Sequence, residues 1–97
     1  MTGLRIDKFL CFARLAKSRS IAQGMIEAGH VRLDGARIAN QHLIIRSGQI
    51  LTLTAHGQFR VIEVVTLPAR RGPPQEALSC YIEIVSPQVI DVSDARI

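Results

Sequence analysis

Tryptophan is absent from this 97-residue chain, and three phenylalanines with one tyrosine make up its aromatic content. A strand face crowded with stacking rings, the kind that reads single-stranded bases, therefore has no source here. Cysteine occurs twice, at Cys11 and Cys80, outside any CxxC pair, so neither a disulfide framework nor a zinc pattern is indicated. His30, His42 and His56 are scattered without metal-ligand spacing. No apolar run approaches membrane-spanning length. The stretch Met1 to Asp7 lacks a basic-then-apolar secretory pattern, which makes a cytoplasmic location with reduced thiols the expectation. No glycine-rich phosphate loop, nucleophile–base order or carboxylate pair stands out, so no catalytic residue, metal or cofactor is expected.

Acidic residues are scarce at the front of the chain. Asp7, Glu27, Asp34 and Glu63 face eleven cations within residues 1–71, a net charge of +7. Residues 72–97 reverse the sign: Arg96 stands against Glu76, Glu83, Asp91 and Asp94, a net charge of −3. Ten of the twelve cations are arginine, the side chain suited to bidentate phosphate contact and base stacking. With 47% hydrophobic residues, the composition is that of one small folded domain with a basic face for a polyanion.

Apolar spacing predicts an α+β fold. Ile6, Phe9, Leu10 and Ala13 form one stripe of a helix over residues 6–15, with Asp7 favourably placed in its first turn. A second helix is expected over 19–28, with Ser18 as N-cap and Ile21, Ala22, Met25 and Ile26 inward. Gly29 follows as a left-handed stop. Val31 to Ile38 reads as a hairpin around Asp34-Gly35, with Arg32 and Arg37 toward solvent. Leu43 to Ile45 form a short covering segment, Ser47-Gly48 and His56-Gly57 are turns, and residues 50–54 and 59–65 are strands. Pro68 ends the sheet region in this reading. Arg70 to Pro74 form a basic linker, a helix follows from Gln75 to about Val85, and an acidic tail closes the chain. Both cysteines fall in predicted helices.

Arg14, Lys17 and Arg19 surround Ser18 at the start of the second helix. Free amides and the positive end of the helix macrodipole add to those charges, and the combination suits a phosphate. Arg5 and Lys8 either extend the path or balance Asp7. Gln23 either contacts RNA or completes a capping box with Ser20. Arg70 and Arg71 either hold a second phosphate or pair with Glu76 and Glu83. Phe12 lies off the first stripe. Packing against the second helix is its expected role, with stacking on an unpaired base as the alternative.

Arg5-Ile-Asp7-Lys8-Phe-Leu10, Ala13-Arg14, Lys17-Ser18-Arg19, Ala22, Ile26 and Gly29-His-Val31-Arg-Leu33-Asp34-Gly35 together resemble the S-four RNA-binding domain family. Within it, the nearest resemblance is to the small ribosome-associated heat-shock branch. The likeness spans residues 3–66 and continues more weakly to Tyr81. It implies an α-L motif: two N-terminal helices on a small, mainly antiparallel sheet. It also implies an RNA surface at Arg5, Lys8, Arg14, Lys17, Ser18, Arg19, Gln23 and Arg32, with ribosomal RNA or a ribosomal subunit as partner. An RNA-binding domain over 1–67 and an appended 68–97 segment follow as boundaries. Two features depart from that branch: Ala39-Asn40-Gln41 replaces a frequent Lys-Pro-Ser, and the C-terminal part is acidic where relatives are basic.

Two other functions fit parts of the pattern. The helix pair could be a helix-turn-helix for duplex DNA, although a hairpin directly after its second helix argues against that. The basic face could serve solubility on a protein-interaction or assembly factor.

Overall fold

The computed structural model describes residues 3–55 and 58–89. Strand β1 (Leu4–Arg5) leads into helix α1 (Ile6–Phe12), followed by helix α2 (Arg19–Glu27). Strands β2 (Val31–Leu33), β3 (Ala36–Arg37), β4 (Ile44–Ile45), β5 (Ile50–Ala55) and β6 (Gln58–Val64) come next. Helix α3 (Pro74–Leu78) and strand β7 (Tyr81–Val89) complete the order. Five strands form one antiparallel sheet in the order β3-β2-β5-β6-β7, and β1 pairs with β4 in a separate ribbon. The α+β class, the helix pair and the antiparallel sheet are as the sequence predicts.

Both N-terminal helices end on a left-handed residue. Gly29, at φ 81°, ends α2 as expected, with the His30 amide donating to the Met25 carbonyl at 2.9 Å. Helix α1 stops at Phe12 rather than at 15, because Arg14 takes φ 60°. The Leu15 amide then donates to the Leu10 carbonyl at 2.9 Å, closing the same motif without a glycine. An arginine in that conformation carries a backbone cost of about 1–2 kcal/mol, which explains why the sequence offers no stop signal there. The hairpin is as predicted: Asp34 and Gly35 both have positive φ, and Leu33 pairs with Ala36.

The core lies between the helix pair and one face of the sheet. Ile6, Phe9, Leu10 and Ala13 from α1 pack with Ala22 and Ile26 from α2 onto Val31, Leu51, Leu53, Ile62 and Val64. The predicted stripe of α2 is shifted at its start. Ile21 is exposed and Met25 half-buried, because Gln23 takes an inward position. Ile45, on β4, is fully buried, so the covering segment is a structural strand.

Three local expectations change beyond residue 64. The C-terminal helix exists but has one turn and a half, Pro74–Leu78. Residues 81–89 are instead a strand on β6, which extends the sheet past Pro68. Tyr81, Ile82 and Val85, which suggested helical spacing, sit in a β-rich run in which Ile82 and Ile84 turn outward while Tyr81 and Glu83 face Arg60. Arg60 grips the Glu83 carboxylate through two nitrogens at 2.7 and 3.1 Å and lies 5.7 Å from the Tyr81 ring centre, fastening β7 to β6. Cys80 accordingly sits in the turn before β7, buried and with its thiol pKa raised by burial. The expected His56-Gly57 turn and the end of the acidic tail lie outside the described residues.

Replacing Leu51 by Ala should cost about 2–5 kcal/mol in urea unfolding, the range for truncating a buried leucine. Ile82→Ala, at a position 56% exposed, should cost under about 1 kcal/mol. Equal losses at both positions would place Ile82 in the core and contradict its outward position on β7.

Candidate nucleic-acid interface

Asp7 is the one fully buried charged side chain among the described residues. An isolated carboxylate in that position would be costly, so its partners decide whether the fold tolerates it. Arg5 meets it with two nitrogens, Nε to Oδ1 at 3.1 Å and Nη2 to Oδ2 at 2.7 Å. The Lys8 amide donates to Oδ1 at 2.8 Å, and the Gln23 side-chain amide donates to Oδ2 at 3.0 Å. The Arg19 guanidinium stands 3.6 Å from the same Oδ2. Burial would push the Asp7 pKa up, but hydrogen bonds from Arg5 and Gln23, the Arg5 charge and the Lys8 amide outweigh it and bring the value down to about 2.

This carboxylate brings four other sequence positions to one place. It joins β1 through Arg5, the first turn of α1 through Lys8, and α2 through Arg19 and Gln23. Two arginines share one anion, so a net positive charge remains, and the Arg19 side chain stays 44% exposed. Lys17 is exposed and Lys8 half-buried, and neither makes an ion pair among the described residues. Ser18 caps α2, its Oγ accepting from the Ile21 amide at 3.2 Å. The first amides of α2, those of Arg19 and Ser20, have no intrahelical partner by geometry. Gln23 therefore serves neither Ser20 nor a free surface: its amide is held by Asp7, and the capping-box alternative does not form.

The loop between the helices is fixed from outside. Arg71 donates to the carbonyls of Cys11, at 2.5 Å, and Ala16, at 3.2 Å. Arg14 answers by donating from Nε to the Gly72 carbonyl at 2.8 Å. Loop and linker thus exchange arginines, and the loop carrying Lys17 and Ser18 is held at both ends. Arg71 is neither a phosphate ligand in waiting nor a partner of Glu76 or Glu83. It adds a donor to the Cys11 carbonyl near the end of α1 and to the Ala16 carbonyl in the loop. Arg70 does pair with Glu76, at 3.2 Å, in an exposed bridge. The sequence carried no signal for the Arg71 contacts, which span 55 and 60 positions.

Of the expected surface, the side chains of Arg5, Arg19 and Gln23 converge on Asp7, Lys8 meets it through its backbone amide, and Lys17 and Ser18 precede Arg19 along the loop. Arg14 is tied instead to the linker, through the Gly72 carbonyl. Arg32 is on β2, in register with Arg37 and Thr52 across the sheet, exposed, and 3.4 Å from the Gly35 carbonyl. Phe12 does not pack on α2 as expected. It lines a cavity together with residues of the 66–80 segment.

Comparison with known proteins agrees with this architecture. The family model described as the S4 domain matches residues 4–51, the stretch from β1 into β5. The heat shock protein 15 homolog of Haemophilus influenzae is 38% identical over 76 residues, 77% of this chain and 57% of that protein. Heat shock protein 15 of Escherichia coli strain K12 is 35% identical over 80 residues, 82% of this chain and 59% of that protein. The chain thus spans somewhat under two thirds of these relatives. The trimeric structure of Vibrio cholerae heat shock protein 15 superimposes with a TM-score of 0.77 at 32% identity, covering 84% of this chain and 82% of that one.

Asp7 gives a pH test with a fixed sign. Its pKa is lower in the folded state, 3.8 falling to about 2, so it contributes about 2 kcal/mol above pH 4 that disappears as pH falls from about 4 to 2. Thermal unfolding of the wild type should lose stability across that window. Asp7→Asn should be less stable at pH 7, and the gap between the two should narrow toward pH 2. A gap that stays constant with pH would contradict the paired carboxylate. Arg71→Met should destabilise by about 1–3 kcal/mol and speed amide hydrogen exchange at residues 14–17. Unchanged exchange there would show that the loop holds itself. With the helix pair, the Asp7 hub, the sheet and these matches together, the chain belongs to the S4-domain family, close to heat shock protein 15.

Proposed function

We propose that this protein binds structured RNA, ribosomal RNA in particular, through the cationic edge where α1 and α2 meet. The observation that carries the reading is the convergence of Arg5 and Arg19 on one buried carboxylate beside the exposed Lys17 and the capped start of α2. Guanidiniums held from behind lose less conformational freedom when a phosphate arrives in front. Lys17, Arg19 and the first amides of α2 bind one phosphate. Arg5, Lys8 and Arg14 continue the path along the backbone, and Gln23 and Ser18 act by holding Arg19 and the helix start in place. Arg32 adds a further exposed charge from the sheet. Membership of the S4-domain family, near a branch associated with ribosomes, supports ribosomal RNA as the partner.

Duplex DNA is the weaker alternative. The exposed positions of α2 after Arg19 are Ser20, Ile21, Gly24 and Glu27, and this set offers little to a major-groove edge. Binding to RNA should depend on shape and backbone more than on base identity.

Arg5 and Arg19 share the Asp7 carboxylate, so the five cations of the edge carry a net of four charges. Log affinity for an rRNA-derived hairpin should fall with log salt at a slope of about −3 to −4. Replacing both Lys17 and Arg19 by Ala should weaken binding to RNAs of different sequence alike and reduce the slope by about 1–2. Fluorescence anisotropy across a salt series reads both. An unchanged slope in the folded double variant would refute the phosphate edge.

A further inference from the structure

We propose that the cavity between the end of α1 and the 66–80 segment receives one unpaired nucleobase of the bound RNA, an inference that rests on the RNA reading above. The cavity has a volume of about 320 Å³, large enough for one planar heterocycle. Phe12, the last residue of α1, lines it instead of entering the core or covering α2. Pro68 adds a second apolar surface, so a flat ring has somewhere to stack.

The polar side of the cavity carries both donors and acceptors. Arg70 engages Glu76 through Nη2 alone, at 3.2 Å to each carboxylate oxygen, and both side chains remain well exposed. The other guanidinium nitrogens and the free lone pairs of the carboxylate are available to a base edge, as is the Thr66 hydroxyl. Gly72 also lines the cavity, and a side chain there would have to push the Glu76 carboxylate aside.

The cavity adjoins the phosphate edge through two direct contacts. Gly72 lines it and accepts the Arg14 hydrogen bond; Arg71, the preceding residue, holds the Ala16 carbonyl next to Lys17. A strand whose phosphates follow Arg14 and Lys17 can therefore turn a base into the cavity. Paired bases of a continuous helix cannot reach it, since a base must leave its stack to enter.

The test uses the full chain and two RNA probes: a blunt hairpin, and the same hairpin with about ten unpaired nucleotides appended, a length within single-strand site sizes. The wild type should bind the extended probe more tightly. Phe12→Ala, and Phe12→Leu as the volume-keeping control, should weaken binding of the extended probe at least about fivefold, the lower end of a stacking contribution, and leave the blunt probe unchanged. Phe12→Tyr should restore the wild-type preference. In NMR spectra, the Ser79 and Cys80 amides should move with the extended probe and not with the blunt one. Equal effects of the Phe12 substitutions on both probes, or none on either, would overturn the subsite while leaving the phosphate edge intact. Adenosine monophosphate moving the same amides at equal concentration would also overturn it, by assigning the cavity to a free nucleotide. Failure of the wild type to bind either probe would end the RNA reading and the subsite with it.

Discussion

A carboxylate with no exposed surface governs the N-terminal half of this molecule. Asp7 sits in the first turn of α1, where the macrodipole favours it, but that alone would not offset removal from water. Two guanidiniums, one backbone amide and one side-chain amide supply the rest. Those donors come from β1, α1 and α2, so satisfying one charge also sets the relative placement of three elements. The basic residues are thereby positioned before any ligand arrives. A cationic edge built on flexible side chains would have to order itself on binding; here part of that ordering is done during folding.

The second constraint comes from the far end of the chain. Arg71 and Arg14 exchange hydrogen bonds between the linker and the interhelical loop. Residues 68–80 lie beyond the stretch matched by the S4-domain family model, yet they hold the loop that carries Lys17 and Ser18. The sequence-based division at residue 67 separates segments that the structure joins by hydrogen bonds and by the β6–β7 pairing. The negative charge of the C-terminal part also has specific uses within the described residues: Glu76 pairs with Arg70, and Glu83 pairs with Arg60.

Much of this was legible in the sequence because it depends on neighbours. Ser18 as cap, Gly29 as stop and Asp34-Gly35 as a turn are local chemistry, and each appears where expected. The inward stripe of α1 follows from spacing alone. Features that depend on distant partners were not legible. A left-handed Arg14 has no local signature, because the compensating contact is to Gly72, 58 positions away. Gln23 looked like a capping partner for Ser20, and a buried anion claimed it instead. The 81–85 stretch matched helical spacing, but its β-branched content and the available edge of β6 won. Phe12 was off the stripe in sequence, and packing on the second helix was the expectation, whereas it lines a cavity with the distant 66–80 segment.

The most direct measurement of the central claim is an amide chemical-shift titration of the isotope-labelled protein with an rRNA-derived hairpin. The account predicts the largest changes at Arg5, Lys8 and the run from Lys17 to Gln23, with Arg32 and the outer face of the sheet changing little. Changes centred on β5, β6 and β7, with the Asp7 surroundings silent, would contradict it.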